Sequence, residues 1–332
     1  MANNIQKFKK YIDLLDEVYK QASKTQVLDG DTTLVRAGAN ANEIIVPKLA
    51  MDGLADYSRN GGYVNGDVNF TYETVKFNYD RGRSFVVDAM DNEETAGLAF
   101  GKLSSEFIRT KVVPEVDAFR FATYAGVKGI GKATGSLDAS NIISALRTAS
   151  TAMDEAEVPA EGRILFITPS LRGVIADLDT SKSREVLDKF AQIIEVPQTR
   201  FYTAIDLYDG TTSGEEIGGF IKHVLSYVKT TDTALDASKT YYTKSGDTYT
   251  AVVSPDVSDI ATYYEQIPAG QNINFMVIEP SALLQYPKHI VNKVVTPEEN
   301  QTSDGWKFFY REYGLADAYE NKVAGIYVHS VA

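Results

Sequence analysis

Residues 68–91 read VNFTYETVKFNYDRGRSFVVDAMD and residues 92–125 read NEETAGLAFGKLSSEFIRTKVVPEVDAFRFATYA. The first stretch alternates apolar and polar residues with the period of two that a half-buried strand requires. Val68, Phe70 and Tyr72 share one parity, whereas Val75, Phe77 and Tyr79 share the other. A parity switch at Glu73–Thr74 predicts a bulge or bend, because one extra residue turns a strand's faces over. Upstream, Asn60-Gly61-Gly62 and Asn65-Gly66-Asp67 are turn signals that divide the region into hairpin strands. A hairpin this long is not stable alone in water. It must lie either on its own domain or on a neighbouring surface.

The second stretch predicts a helix from Glu93 or Glu94 to about Tyr124, with Leu98, Phe107, Ile108, Val112, Val116 and Phe119 among its apolar positions. Asp91, Glu93 and Glu94 crowd its start, where the helix dipole favours negative charge. About thirty residues make a rod of roughly 45 Å. Pro114 removes one backbone hydrogen bond and bends that rod unless two helices meet there.

The chain has 332 residues, enough for one large or two moderate domains. Its apolar share of 44% and charged share of 23% are those of a globular protein. Tyrosine is over-used, with 20 residues against one tryptophan, which suits half-exposed strands and subunit interfaces. The absence of cysteine excludes disulfides, thiolate metal sites and cysteine nucleophiles. No apolar run approaches the roughly 18–20 residues that span a bilayer, so the expected place of synthesis is the cytosol, with no membrane partner. A net charge of −12 argues against a protein that wraps nucleic acid tightly, since that needs basic grooves.

Before the hairpin, Ile5, Phe8, Ile12, Leu15 and Tyr19 predict a short amphipathic helix over residues 5–22, docked on a partner or on its own domain. An extended segment then leads to the apolar run Ile44, Ile45, Val46. Residues 136–180 read as helix, strand, helix, with further strands at Arg200–Ile205, Asn272–Ile278, His289–Val295, Lys307–Arg311 and Gly325–His329. Without regular βαβ spacing the expected class is α+β. Residues 229–268, dense in Thr, Tyr, Ser and Asp, read as a surface insertion with a hairpin at Ser245-Gly246.

Catalytic patterns are scarce. Gly126 to Ala133 matches G-x-x-x-x-G-K but lacks the following Ser or Thr that would hold magnesium, and it reads as a linker. Histidine occurs only at 223, 289 and 329, so a histidine-based site needs distant residues to converge. His289 and His329 fall in expected strands as structural residues. Arg81 and Arg83 flank Gly82 and form either a bidentate patch for carboxylates across a subunit boundary or a solvated turn. Arg109, Glu115, Asp117 and Arg120 have the spacing to pair along their own helix.

A strand-rich hairpin running into a long helix that carries R-x-x-x-x-P-E-x-D-A-x-R-F, at Arg109, Pro114, Glu115, Asp117, Ala118, Arg120 and Phe121, resembles the major capsid proteins of tailed bacteriophages. The segments IIEVPQTRFYTAI, at 193–205, and NINFMVIEPSALLQYPKHIVNKVV onward, at 272–329, resemble later parts of such proteins from phages and prophages of Gram-positive hosts. The resemblance implies a Hong Kong 97 type α+β fold. Its parts would be an N-terminal arm (1–45), an extended loop (46–92), a peripheral domain with a spine helix (93–136 and 286–332) and an axial domain (137–285) holding the insertion. It implies a subunit without catalysis or cofactor that forms pentamers and hexamers of an icosahedral shell around double-stranded DNA. The virion capsid would be assembled in the host cytoplasm with a scaffolding protein and a portal protein. Implied inter-subunit contacts are Tyr72, Lys76, Phe77, Arg81, Arg83, Asp88, Glu94, Arg109, Glu115 and Arg120. Some relatives cross-link a loop lysine to an asparagine; no motif here marks a partner for Lys76, and none is expected. Competing readings are a bacterial surface adhesin or layer protein, motivated by the Tyr- and Thr-rich insertion, and an encapsulin-like compartment shell of the same fold.

Overall fold

A computed structural model describes residues 23–30, 36–37, 43–89, 104–178, 180–236, 239–253 and 255–332. The helix expected at 5–22 and the helix start at 91–94, Glu94 included, lie outside the described residues. The chain divides into two compact units.

The described residues of one unit fall within 26–105 and 283–319. Strands β1 (Arg36–Ala37), β2 (Glu43–Met51) and β3 (Val68–Lys76) form an antiparallel sheet in the order β1-β2-β3. Strands β4 (Tyr79–Asp88), β15 (Leu283–Val295) and β16 (Gly305–Ala318) form another, in the order β15-β16-β4. Both β15 and β16 run well beyond the segments the sequence predicts, because Pro287 does not end its strand. It sits on the sheet edge, where a missing N–H is tolerated, and the register with β16 shifts between Pro287 and His289.

The bulge expected at Glu73–Thr74 is absent: β2 and β3 stay in register from Glu43 opposite Lys76 to Met51 opposite Val68. The chain breaks instead at Phe77–Asn78, where it leaves one sheet for the other. There the Asn78 side chain stands in for a backbone unit. Its Nδ2 donates to the Ala316 carbonyl at 2.7 Å and its Oδ1 accepts the Ala316 N–H at 3.1 Å. The unit's core holds Ile44, Val75, Leu284, Tyr286 and Leu315, with Val46 and Phe77 packed against it.

The second unit comprises described residues within 21–25, 106–282 and 320–332. Its centre is a five-stranded mixed sheet of β5 (Gly131–Thr134), β17 (Ile326–Ser330), β14 (Ile273–Ile278), β6 (Ile164–Ile167) and β7 (Gln192–Glu195), in that spatial order. Every residue of β6 and β14 is buried, which explains their unbroken apolar runs. Helix α1 (Val113–Gly126) sends Phe121 to one face, edge-on to Phe166 and Phe201. Helices α2 (Ile142–Glu155), α3 (Pro169–Leu178) and α4 (Ser181–Leu187) cover the other, where Leu146, Met153, Ile175 and Val186 meet Leu165, Phe275 and Val277. Two small sheets complete the unit. One pairs β8 (Ile205–Leu207) with β9 (Phe220–Lys222); the other orders β10 (Ser226–Lys229), β13 (Tyr264–Ile267), β11 (Tyr241–Ser245) and β12 (Thr248–Ala251).

Pro114 is accommodated by a π-helical turn at Ile108–Val112, in which the Val113 N–H donates to the Ile108 carbonyl. Pro114 thus falls in the first turn of α1, where no N–H is required. Two expectations are corrected. Gly131 to Thr134 is a strand paired with β17 instead of a linker, and a side chain at Gly131 would sit 2.4 Å from the Tyr327 ring. Residues 198–200 form a 3₁₀ turn instead of opening a strand, and β8 begins only at Ile205.

His329 is buried in β17, its ring stacked 5.1 Å from Phe275. The Asn274 amide lies 3.1 Å from its Nδ1 and donates to the Gly135 carbonyl, so Nδ1 is read as the acceptor of a neutral ring. Burial holds its pKa below the ordinary 6.5. The folded state therefore binds this proton less readily than the unfolded chain, and the stability His329 contributes is complete above pH 6.5 and is lost as pH falls toward the folded value. Urea midpoints measured between pH 7.5 and pH 5 are expected to fall with acid, and His329→Gln to flatten that slope. An unchanged slope would remove the assignment.

Candidate interaction surface

The β2/β3 ribbon has two faces, and the sequence spends apolar residues on each in turn. Near its base, Ile44 and Val75 lie side by side on one face and are buried in their own unit. Toward its far end the apolar residues move to the opposite face. Leu49 pairs with Phe70 and Met51 with Val68, and Tyr72 continues the row. These five remain exposed: Leu49 50%, Met51 65%, Val68 70%, Phe70 53% and Tyr72 62%. The parity switch therefore has a physical meaning other than a bulge. It marks where the ribbon stops packing on its own unit and turns an apolar stripe outward.

The loop joining β2 to β3 extends this surface. Its ends are tied by Asp52, whose N–H donates to the Asp67 carbonyl and whose Oδ2 accepts the Asp67 N–H at 2.8 Å. Ser58 and Gly62 form a bridge, with Gly62 at φ +76°, and the Tyr57 and Tyr63 rings meet at 4.9 Å beside it. Leu54, Tyr63 and Val64 are largely exposed. Exposed apolar side chains in this number make the ribbon and its loop a candidate contact surface. Completing the burial of each such side chain is worth on the order of 1–2 kcal/mol.

The other sequence candidates fall in different places. Lys76 is exposed at the end of β3, opposite Glu43. Phe77 is half-buried, stacked 5.0 Å from Tyr313 with the Lys288 amine 4.7 Å above its ring. Arg81 and Arg83 lie in β4, opposite Glu312 and Tyr310, in a strand and not a turn. Beside them Arg311 grips Asp80 through Nε at 2.8 Å and Nη2 at 2.6 Å, and this guanidinium holds the Asp80 carboxyl below its ordinary pKa. Asp88 is exposed at the far end of β4.

On the helical motif Arg109 pairs along its own helix, binding Glu106 one turn earlier at 2.8 Å. Asp117 is fully buried and turns to other segments. Its carboxylate accepts from Ser23 Oγ, the Lys24 and Thr25 N–H groups and Thr25 Oγ1, and pairs with Arg200 at 3.0 Å. Arg120 donates to Thr25 Oγ1 at 2.9 Å and is itself buried, as is Glu115. A local spacing rule missed this hub because its partners stand more than eighty residues away in sequence.

Histidine chemistry converges more than the sequence showed. His223 Nδ1 lies 2.6 Å from Asp206 and Nε2 lies 3.1 Å from Ser226 Oγ, tying the ends of β8, β9 and β10 together. Among the described residues no group of three or more His, Asp or Glu side chains could hold a metal ion, and no helix is long and apolar enough to cross a membrane.

No family model and no curated protein matches this sequence. Solved structures do. The chain superposes on the virus-like particle from Pyrococcus furiosus with a TM-score of 0.54 at 11% identity, covering 97% of this chain and 98% of that one. A Gordonia phage Cozz chain gives a TM-score of 0.52 at 11% identity, covering 93% and 86%. Both likenesses cover most of the two chains, and at 11% identity they show a shared fold and no more. The chain has the Hong Kong 97 type α+β capsid fold.

Proposed function

We propose that this chain is the major capsid protein of a tailed bacteriophage, a structural subunit that acts by assembling and not by catalysis. The observation that carries this reading is the outward apolar stripe of the β2/β3 ribbon. It is placed on the ribbon face opposite the one packed on its own unit, so it serves a second surface. In a closed shell that surface belongs to a neighbouring subunit, and modest contacts repeated around pentamers and hexamers give collective stability. Tyr72, Lys76, Arg81, Arg83 and Asp88 are the proposed contact residues from the ribbon and β4. Residues 1–45 act as an arm, 46–92 as the extended loop, and residues 137–285 as the domain that gathers at capsomer centres. A scaffolding protein and a portal guide assembly in the host cytoplasm, and the acidic shell encloses double-stranded DNA without gripping it.

A second reading, a compartment shell of the same fold, is supported by the likeness to a virus-like particle. The two separate on contents. Light scattering after size-exclusion chromatography, with electron microscopy of the same fractions, is expected to show pentamers, hexamers or closed shells. Shells recovered from the native source with packaged DNA support the phage reading, and shells filled with protein support the compartment. A strictly monomeric chain, alone and with the neighbouring scaffold candidate, removes both.

A further inference from the structure

The sheet β10-β13-β11-β12 has aromatic side chains on both faces, and its fully buried side chain, Tyr241, lies on one of them. On that face Tyr241, Tyr263 and Ile260 are buried, and Lys239 bridges Asp232 at 2.8 Å and Glu265 at 3.0 Å. Strand register puts Tyr227, Tyr242, Tyr249 and Tyr264 on the other face, together with Gln266, Lys229 and Lys244. All four rings are partly exposed. A small antiparallel sheet with one packed face ordinarily turns plain polar residues to water on the other.

The rings are organised. Tyr227 and Tyr249 stack 4.0 Å apart and 4° from parallel, Tyr242 meets Tyr227 edge-on at 5.1 Å, and Tyr264 meets Tyr249 edge-on at 5.3 Å. Gln266 accepts from the Tyr242 hydroxyl at 2.9 Å and donates to the Tyr227 hydroxyl at 3.3 Å. The Lys244 amine lies 5.5 Å from the Tyr249 ring centre. Hydroxyl-tipped rings already fixed in place lose little conformational freedom on contact with a partner.

We propose that this tyrosine face binds an anionic polysaccharide. Aromatic rings take the C–H faces of sugar rings, while the phenol hydroxyls and the Gln266 amide take sugar hydroxyls. On this face Ala251 is the sole aliphatic side chain that the strands supply, which leaves little to anchor an apolar protein partner. Charge decides the class of sugar. Glu265 is the single carboxylate within these strands and it points to the packed face, so the strands give the tyrosine face Lys229 and Lys244 and no carboxylate.

This reading stands apart from shell assembly and is testable on the full chain in either state. Affinity electrophoresis through gels holding polygalacturonate, dextran sulfate, plain dextran or polyglutamate is expected to retard the chain in the first two. Tyr249→Ala should weaken that retention roughly tenfold. Lys244→Gln, which leaves the rings in place, should weaken it roughly two- to fivefold and reduce its dependence on salt. Thr250→Ala, on the opposite face, should change nothing, and circular dichroism of each variant checks folding. Equal retardation by polyglutamate, no retardation by either anionic polysaccharide, or a Lys244→Gln variant that binds as the parent does would each overturn the proposal. So would loss of self-association in the tyrosine variant, since the face would then be a contact between copies.

Discussion

Replacing Asp117 by alanine is expected to destabilise its unit by about 3–5 kcal/mol, the cost of leaving a buried charge without its partner. Removing that carboxylate strands Arg200, the Lys24 and Thr25 N–H groups and the Ser23 hydroxyl together. The geometry also predicts where the damage appears. Residues 23–25 should detach from α1, and Arg120 should lose an ordered Thr25 hydroxyl. Hydrogen exchange read at residues 23–25, α1 and β6 would show faster exchange in all three, with a lowered urea midpoint. Asp117→Asn keeps the shape but exchanges one accepting oxygen for a donor, and its loss should be smaller, about 1–3 kcal/mol. An alanine variant within 1 kcal/mol of the parent would show that water replaces the carboxylate there, and the hub would lose its structural role.

The second large effect is on assembly. Val68→Asp combined with Phe70→Asp puts two carboxylates into the outward stripe, where the parent offers apolar surface. Both positions are exposed in the single chain, so its own stability should change by no more than about 0.5 kcal/mol per substitution. In a subunit contact each charge becomes buried and unpaired, a penalty of about 3–5 kcal/mol repeated at every junction. The variant is therefore expected to give a folded, soluble subunit and no shells in electron micrographs. Thr71→Asp provides the control, because Thr71 directly follows Phe70 and lies on the other face of the ribbon. Normal particles from the double variant would separate the stripe from assembly. A deletion across residues 60–80 would be a poorer test, since it removes Val75 and Tyr79 from the unit's interior along with the stripe.

Much of this architecture was legible in local patterns. Period-two alternation marked β3 and β4, helical spacing marked α1, unbroken apolar runs marked β6 and β14, and Ser245-Gly246 marked the tight turn between β11 and β12. These signals survive in sequence because they arise from neighbours a few residues apart. The class of fold followed from their order along the chain.

What the sequence could not decide was which surface each pattern faces. Alternation in residues 68–79 showed that two sets of apolar side chains exist, but only the pairing of β3 with β2 showed that one set is buried and the other turned outward. The helical motif likewise displayed charges at pairing distance. Tertiary structure sent Asp117 to Arg200 and to residues 23–25, because a buried carboxylate collects every donor the fold brings within reach, however distant in the chain. Alternation and spacing are set by backbone geometry and can be read locally. Burial and charge pairing are set by long-range closure, so the identities of the core, the hub and the exposed stripe came only with the folded chain.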